Sequence, residues 1–255
     1  MERDLLPFLA LQDPLSSVSH LLGSLTLLVG LWLTRGMHTG DPRRDAGLRV
    51  YFVCGGLQLL CSGIYHGEAN GTVARAVFWH LDHATIWLAL AASFTAIMSM
   101  LCRWQPRYLG AVWALAGAGA TLELTSLSEL SPWISPALYV GMGWLGFPLW
   151  LQTARTHGLW GPSGWLFLGG CLATLGGVMD AAQWPTLWAR VVEAHELMHL
   201  CIAVACWLYL AALIHACRAE CWRVEADAAP ALAVEPCAVT PAAAFARERG
   251  ARRPS

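Results

Sequence analysis

The sequence predicts an all-α membrane protein built as a bundle of seven transmembrane helices, and three observations support this fold class. Of its 255 residues, 56% are hydrophobic and 13% are charged, and the mean hydropathy is +0.49, values too apolar for a soluble globular domain. Seven apolar runs are each long enough to cross about 30 Å of hydrocarbon as a helix. Charged residues are concentrated between these runs and at the chain ends. We therefore expect an integral, multi-pass membrane protein.

The predicted spans follow one another with short polar loops between them. Residues 1–14 form a short N-terminal segment, and residues 15–216 form the membrane domain. Pro148 and Pro162 interrupt the pattern of the fifth and sixth spans, although membrane helices tolerate proline. Residues 224–255 are rich in Ala and Pro, end in an arginine cluster, and are expected to be disordered. Within the membrane domain we expect helices at roughly 15–34, 48–66, 79–101, 108–127, 133–152, 160–180 and 192–216.

The basic residues predict how the protein lies in the membrane. All sixteen are arginine, and the loops after the first, third and fifth spans and the C-terminal segment hold most of them. The opposite side has only Arg3, Arg75 and Arg190. By the positive-inside rule, the N-terminus is expected outside and the C-terminus in the cytoplasm, in a plasma (inner) membrane. The absence of lysine excludes a retinal Schiff base, and a net charge of -1 gives no reason to expect a nucleic-acid partner.

Two histidines in the last predicted span are separated by one helical turn. On a helix, His195 and His199 share a face about 6 Å apart along the axis, so both imidazoles can reach one metal ion. Seven alternating spans bring His66, at the end of the second span, to the same membrane face. Ionisable groups at membrane depth are costly and usually face the bundle interior, where they have partners. We therefore expect an intramembrane zinc site held by His66, His195 and His199.

Other residues at this face suggest how such a site would work. Three imidazoles leave a fourth coordination position open, which is typical of catalytic zinc and of the acidified water that it binds. Asp82, at the start of the third span, would bind this water or a ligand imidazole, and Ser62 lies one turn before His66. His195-Glu196-x-x-His199 also matches the metalloprotease pattern, in which Glu196 would be the general base.

Several polar residues near the span ends are interpreted as structural. His20 has no histidine partner one turn away, and interfacial positions are enough to explain two further histidines. For carboxylates near span ends, solvation at the level of the lipid headgroups is the default interpretation. These residues are His20, His80, His83, Glu123, Glu129, Asp180 and Glu193.

The motifs together resemble the hemolysin III family, which belongs to the progestin and adipoQ receptor group and is related to alkaline ceramidases. They are Ser62-x-x-x-His66, Leu81-Asp82-His83 and His195-Glu196-x-x-His199, with Gly169-Gly170 in the preceding span. The resemblance runs from about Asp13 to His215 and implies a seven-helix fold. It also implies zinc held by the histidines at positions 66, 195 and 199, with Ser62 and Asp82 beside them. Asp13-Pro14 with Ser16 departs from the Glu and Asn that such proteins often carry ahead of the first-span histidine.

The leading functional hypothesis is a zinc-dependent hydrolase that acts on a membrane lipid. The resemblance to ceramidases implies an amide bond as its target. Two alternatives stay open: a receptor or sensor with structural zinc, in which lipid binding shifts helix packing, and an intramembrane peptidase that uses Glu196. For the hydrolase and for the receptor or sensor, the candidate partner is a membrane lipid. The sequence does not predict the oligomeric state.

Overall fold

A computed structural model describes residues 11–36, 39–125, 133–189 and 191–232, with side chains up to residue 219. Across these ranges the chain is helical, and the only β pairing is an isolated bridge between Trp188 and Val192. The fold is therefore that of a helical membrane protein, as predicted. Its helices are α1 (Pro14–Thr34), α2 (Pro42–Gly67), α3 (Val73–Leu101), α4 (Pro106–Thr125), α5 (Ile134–Trp144), α6 (Phe147–His157), α7 (Pro162–Ala182) and α8 (Ala194–Leu232).

Six stretches of the described chain are long and apolar enough to cross a membrane. They are α1, α2, α3, the joined α5 and α6 (Ile134–His157), α7, and residues 194–219 of α8. In the place of the fourth predicted span, α4 forms a helix of 20 residues. It is not among these six stretches, and it carries Arg107 near its start and Glu123 near its end.

The last helix is longer than the sequence indicated. It continues to Leu232, past Val224, where we predicted a disordered tail to begin. Residues 224–232 form its last turns, and their alanines favour a helix. Residues 233–255 lie outside the described residues, so disorder there stays a prediction.

The fifth span is broken into α5 and α6 at Leu145 and Gly146. Pro148 has no N–H to donate to the carbonyl one turn earlier, and its ring crowds that carbonyl. The turn tightens instead, since the N–H of Leu145 donates to Met142 O at 3.1 Å. The hydroxyl of Tyr108 in α4 donates to the carbonyl of Leu145. This bond satisfies the carbonyl of Leu145 at the break inside the protein, as membrane helices require.

The third helix is the centre of the bundle. One buried cluster joins α3 to α1, α2, α7 and α8, with Phe52 and Leu213 fully buried in it. A second cluster joins α3 to α4, α5 and α6 around Met98, which is also fully buried. The bundle therefore consists of two helix groups that share α3.

Small residues allow the helices of the first group to approach closely. A Cβ atom on Gly63 of α2 would lie 2.7 Å from Cγ of Leu21 in α1. The hydroxyl of Ser17 in α1 also donates to Gly63 O at 2.8 Å. In the same way, a Cβ on Gly169 of α7 would lie 2.5 Å from the Tyr209 ring of α8. Close packing of this kind fixes the helix ends from which the site is built.

Candidate metal centre

Three histidines from two distant parts of the chain meet at one face of the bundle. His66 lies in the last turn of α2, and His195 and His199 lie in the first two turns of α8. One ligand nitrogen from each lies within 4.8 Å of the other two, so the group could hold a metal ion. The structure therefore brings together the three residues that the sequence predicted to meet.

Each ligand imidazole has a second partner on its Nδ1 atom. Nδ1 of His66 lies 3.2 Å from Oδ2 of Asp13, and Nδ1 of His195 lies 2.9 Å from Oδ1 of Asp180. Nδ1 of His199 lies 2.8 Å from Nε2 of His20. Because a carboxylate only accepts hydrogen bonds, His66 and His195 each carry a proton on Nδ1, and in the neutral form of each ring Nε2 presents a lone pair. Such outer partners orient metal-binding histidines and raise their basicity.

Asp13 links His66 to an arginine at the start of α3. Nη2 of Arg75 donates to Oδ2 of Asp13 at 3.2 Å, and Nη1 donates to the carbonyls of Tyr65 and Glu68 at 2.9 and 2.8 Å. Burial on its own would raise the pKa of Asp13, but hydrogen bonds to and charges on His66 and Arg75 lower it to about 2. The Asp13 carboxylate is therefore ionised and acts as an acceptor for His66. Arg75 at the same time satisfies carbonyls at the end of α2.

The donor set fits a metal ion. Nε2 of His199 lies 2.9 Å from Nε2 of His195, and Nε2 of His66 is buried without a hydrogen-bond partner. If His199 donates its Nδ1 proton to His20, as the geometry allows, three lone pairs face one another. That arrangement is unfavourable unless a cation lies between them. Bonds of about 2.0–2.1 Å at tetrahedral angles place ligand nitrogens about 3.4 Å apart, within the spacing found here.

Comparison with known protein families matches a part of the chain that includes the three histidines and the residues that contact them. The family model for haemolysin-III related proteins matches residues 8–210. This chain belongs to the haemolysin-III related family. The match covers α1 to α7 and the first half of α8, and so includes every histidine of the candidate site in this haemolysin-III related protein. It confirms the family that the motifs indicated.

The two predicted neighbours of the ligands lie deeper in the bundle. Ser62 lies one turn before His66 and is fully buried, next to the carboxyl group of Asp82. Asp82 is 5% exposed, and its Oδ1 accepts a hydrogen bond of 3.4 Å from the side-chain amide of Gln58. Both side chains lie on helices that pack against each other beside His66. Their roles in a reaction stay predictions.

Glu196 has a structural partner at the start of its own helix. Its Oε2 accepts a hydrogen bond of 3.0 Å from the backbone N–H of Glu193, the residue before Ala194 at which α8 begins. This is the side-chain half of a capping box, in which a glutamate satisfies a backbone donor at the helix start. The glutamate of the HExxH pattern therefore has a local role in α8.

Sequence reasoning missed three residues that contact the ligands: Asp13, His20 and Asp180. The position of Asp180 near a span end favours a solvated carboxylate at headgroup level, and that interpretation does not describe its contact with His195. His20 was set aside because it has no partner on α1, but its partner His199 is on α8. Depth could have found all three, since each lies at the membrane face that holds the ligands. His80 and His83 instead contact the backbone of Glu123 and Trp79.

Proposed function

We propose that this protein is a zinc-dependent hydrolase that acts on a lipid with an amide bond. The observation that carries this proposal is the three-imidazole group, which no fourth His, Cys, Asp or Glu joins within the described ranges. Imidazole nitrogens suit zinc among the available metals. Structural zinc sites have four protein ligands, whereas catalytic sites have three and an open position. The donor set therefore supports a catalytic ion more than the structural ion of a receptor.

The site itself supports a bundle of seven spans. His66 ends α2 and His195 begins α8, yet the two side chains meet at one membrane face. The chain must then cross the membrane an even number of times between them. There are four crossings if the membrane is spanned by α3, by α4, by the joined α5 and α6, and by α7. If α4 did not cross, three crossings would remain, which is an odd number. The 20 residues of α4, at 1.5 Å each, are long enough for this.

The residues around the proposed ion would have different roles in the reaction. Zinc, when bound, would supply Lewis acidity that polarises a carbonyl and acidifies a water. The side chain of His195 is 37% exposed and that of His66 only 2%, so substrate approaches on the side of His195. Asp82 would hold and transfer a proton at its carboxylate, and Ser62 would donate a hydrogen bond from its buried hydroxyl. The choice of an amide follows from the resemblance to alkaline ceramidases.

The same geometry bears on the peptidase alternative. A metallopeptidase would use Glu196 as the base, but the Glu196 carboxylate accepts the N–H of Glu193 at 3.0 Å. Asp82 has no such helix-capping partner. This favours Asp82 over Glu196 as the group that handles protons.

Zinc-loaded protein in lipid nanodiscs tests the proposal. We expect it to release a fatty acid and an amine from an amide lipid supplied in a total lipid extract, measured by mass spectrometry. The matched control is His199→Ala, which lacks one ligand and should release neither. If zinc-loaded protein changes no lipid, the hydrolase proposal fails and the receptor alternative gains support. If it cleaves peptides and no lipid, the peptidase alternative replaces it.

A further inference from the structure

A groove on the membrane-facing side of the bundle lies between α1 and α8, with α2 at its floor. Its cavity measures about 120 Å³. On α1 it extends from Ser19 to Leu27, which is about 12 Å of helix. Leu59 of α2 forms part of the floor, and Ala203, Trp207 and Leu210 form the wall on α8.

The groove lies within about two turns of the histidine cluster on all three helices. On α1, Gly23 lies three residues after His20. On α2, Leu59 lies seven residues, about two turns, before His66, and on α8, Ala203 lies four residues, about one turn, after His199. Because a helix rises about 5.4 Å per turn, these offsets place the groove directly on the membrane-centre side of the cluster. A molecule in the groove thus has one end beside the histidines.

The groove presents an apolar surface although it contains hydroxyl groups. The hydroxyl of Thr26 donates to Leu22 O at 2.8 Å, and that of Ser19 donates to Ser16 O at 3.0 Å. Both hydroxyls are therefore satisfied by their own helix and need no partner in the groove. The rest of the lining is mainly hydrocarbon, with the half-exposed indole of Trp207 at the edge. The lining therefore suits a hydrocarbon chain.

We propose that this groove binds the acyl chain of the lipid substrate and places its carbonyl group at the three histidines. This inference rests on the proposed hydrolase function, which it deepens by assigning the substrate's entry side and chain position. The chain would enter sideways from the bilayer between α1 and α8, and the headgroup would stay at the membrane face near His195. The length of the groove would then limit the length of the acyl chain that the protein accepts.

Ala203 and Val204 provide a matched pair of variants. Ala203 forms part of the groove wall, whereas Val204 is 50% exposed on the same helix and is not part of the lining. Ala203→Phe adds a ring inside the groove, and Val204→Phe adds the same ring to the lipid-facing surface. Both proteins should retain the zinc content of the unchanged protein, which shows that the fold is intact.

The test uses an N-acyl lipid that carries a photoactivatable diazirine at the middle of its acyl chain. In nanodiscs we expect cross-links on Trp207 and Leu210, found by peptide mass spectrometry, and we expect them also after zinc is removed by a chelator. Ala203→Phe should lower this labelling several-fold, and Val204→Phe should leave it unchanged. Equal labelling of the exposed α7 residues Leu168 and Leu175, or no effect of Ala203→Phe, would overturn the proposal.

This design separates the groove from the hydrolase function. Groove labelling without lipid cleavage would support the groove and reject the hydrolase. Cleavage without groove labelling would support the hydrolase and reject the groove. Where cleavage occurs, Ala203→Phe should also shift the preference toward shorter acyl chains, and an unchanged preference would count against the groove.

Discussion

Nδ1 of His195 lies 2.9 Å from Oδ1 of Asp180, so a carboxylate at the end of α7 orients a ligand imidazole at the start of α8. The pair repeats the relationship between Asp13 and His66 on the other side of the site. Two of the three ligands thus point their free nitrogen inward because a carboxylate holds the opposite side of the ring.

Asp180→Asn should weaken zinc binding while leaving the fold intact. The amide is a poorer acceptor than the carboxylate, so His195 loses basicity and a fixed orientation. We expect zinc affinity to fall by about 10- to 100-fold, the usual effect of such outer partners. Competition with a fluorescent chelator measures it. The control is Asp45→Asn, because Asp45 lies in the first turn of α2, at the other end of that helix from His66. Equal zinc affinities in the two variants would show that Asp180 does not orient His195.

Replacing any one of His66, His195 and His199 with alanine should remove most of the zinc. Two imidazoles remain in each variant, which is fewer than the three protein ligands of a catalytic site. Elemental analysis of the purified proteins measures the loss. His83→Ala is the matched control because Nδ1 of His83 contacts its own helix, at Trp79 O. Full zinc content in all four variants would mean that the cluster is not the metal site.

Asp82→Asn should retain zinc and lose activity by about 10²-fold or more, the usual range for a general base. Asparagine keeps the size of the side chain and an oxygen that can accept from Gln58. Ser62→Ala removes one hydroxyl and should cost less, within about 10- to 100-fold. Initial rates of lipid cleavage at equal zinc loading compare them. Glu196→Gln should stay active because its amide oxygen can still accept from Glu193, and loss of activity there but not in Asp82→Asn would assign the base to Glu196.

A reporter fused to the C-terminus should be active as a cytoplasmic protein, and one fused to the N-terminus as an external protein. The expectation follows from the arginine distribution, with Arg3, Arg75 and Arg190 alone on the external side. Paired enzyme reporters that function on opposite sides of the membrane measure this. The reversed pattern would place the histidine cluster at the cytoplasmic face.

Truncation after Arg223 should leave folding and zinc content unchanged. The ligands of α8 lie in its first two turns, and the buried residues Leu213 and Cys217 precede the cut. Membrane expression and elemental analysis of the truncated protein check this. A protein that no longer accumulates in the membrane would show that the later part of α8 is needed for folding.

The sequence predicted the helices and the meeting of the three histidines because each depends on a local or countable property. Apolar length placed the helix ends within about six residues, apart from the end of α8, and the spacing of His195 and His199 with the count of crossings placed His66 beside them. Contacts that depend on how separate helices pack could not be found in this way. His20 reaches His199 across the bundle, and only the close approach of α7 to α8 lets Asp180 reach His195.

The contact between His20 and His199 joins residues 179 positions apart, in the first and last helices of the bundle. A zinc ion held by α2 and α8, as we propose, would therefore tie the beginning of the membrane domain to its end. Its binding free energy would contribute to closing the bundle, and would stabilise the closed bundle by an amount that grows with the logarithm of the free zinc concentration. A nascent chain that still lacks α8 would offer one of the three proposed ligands, so the metal could be captured only once synthesis had passed His199.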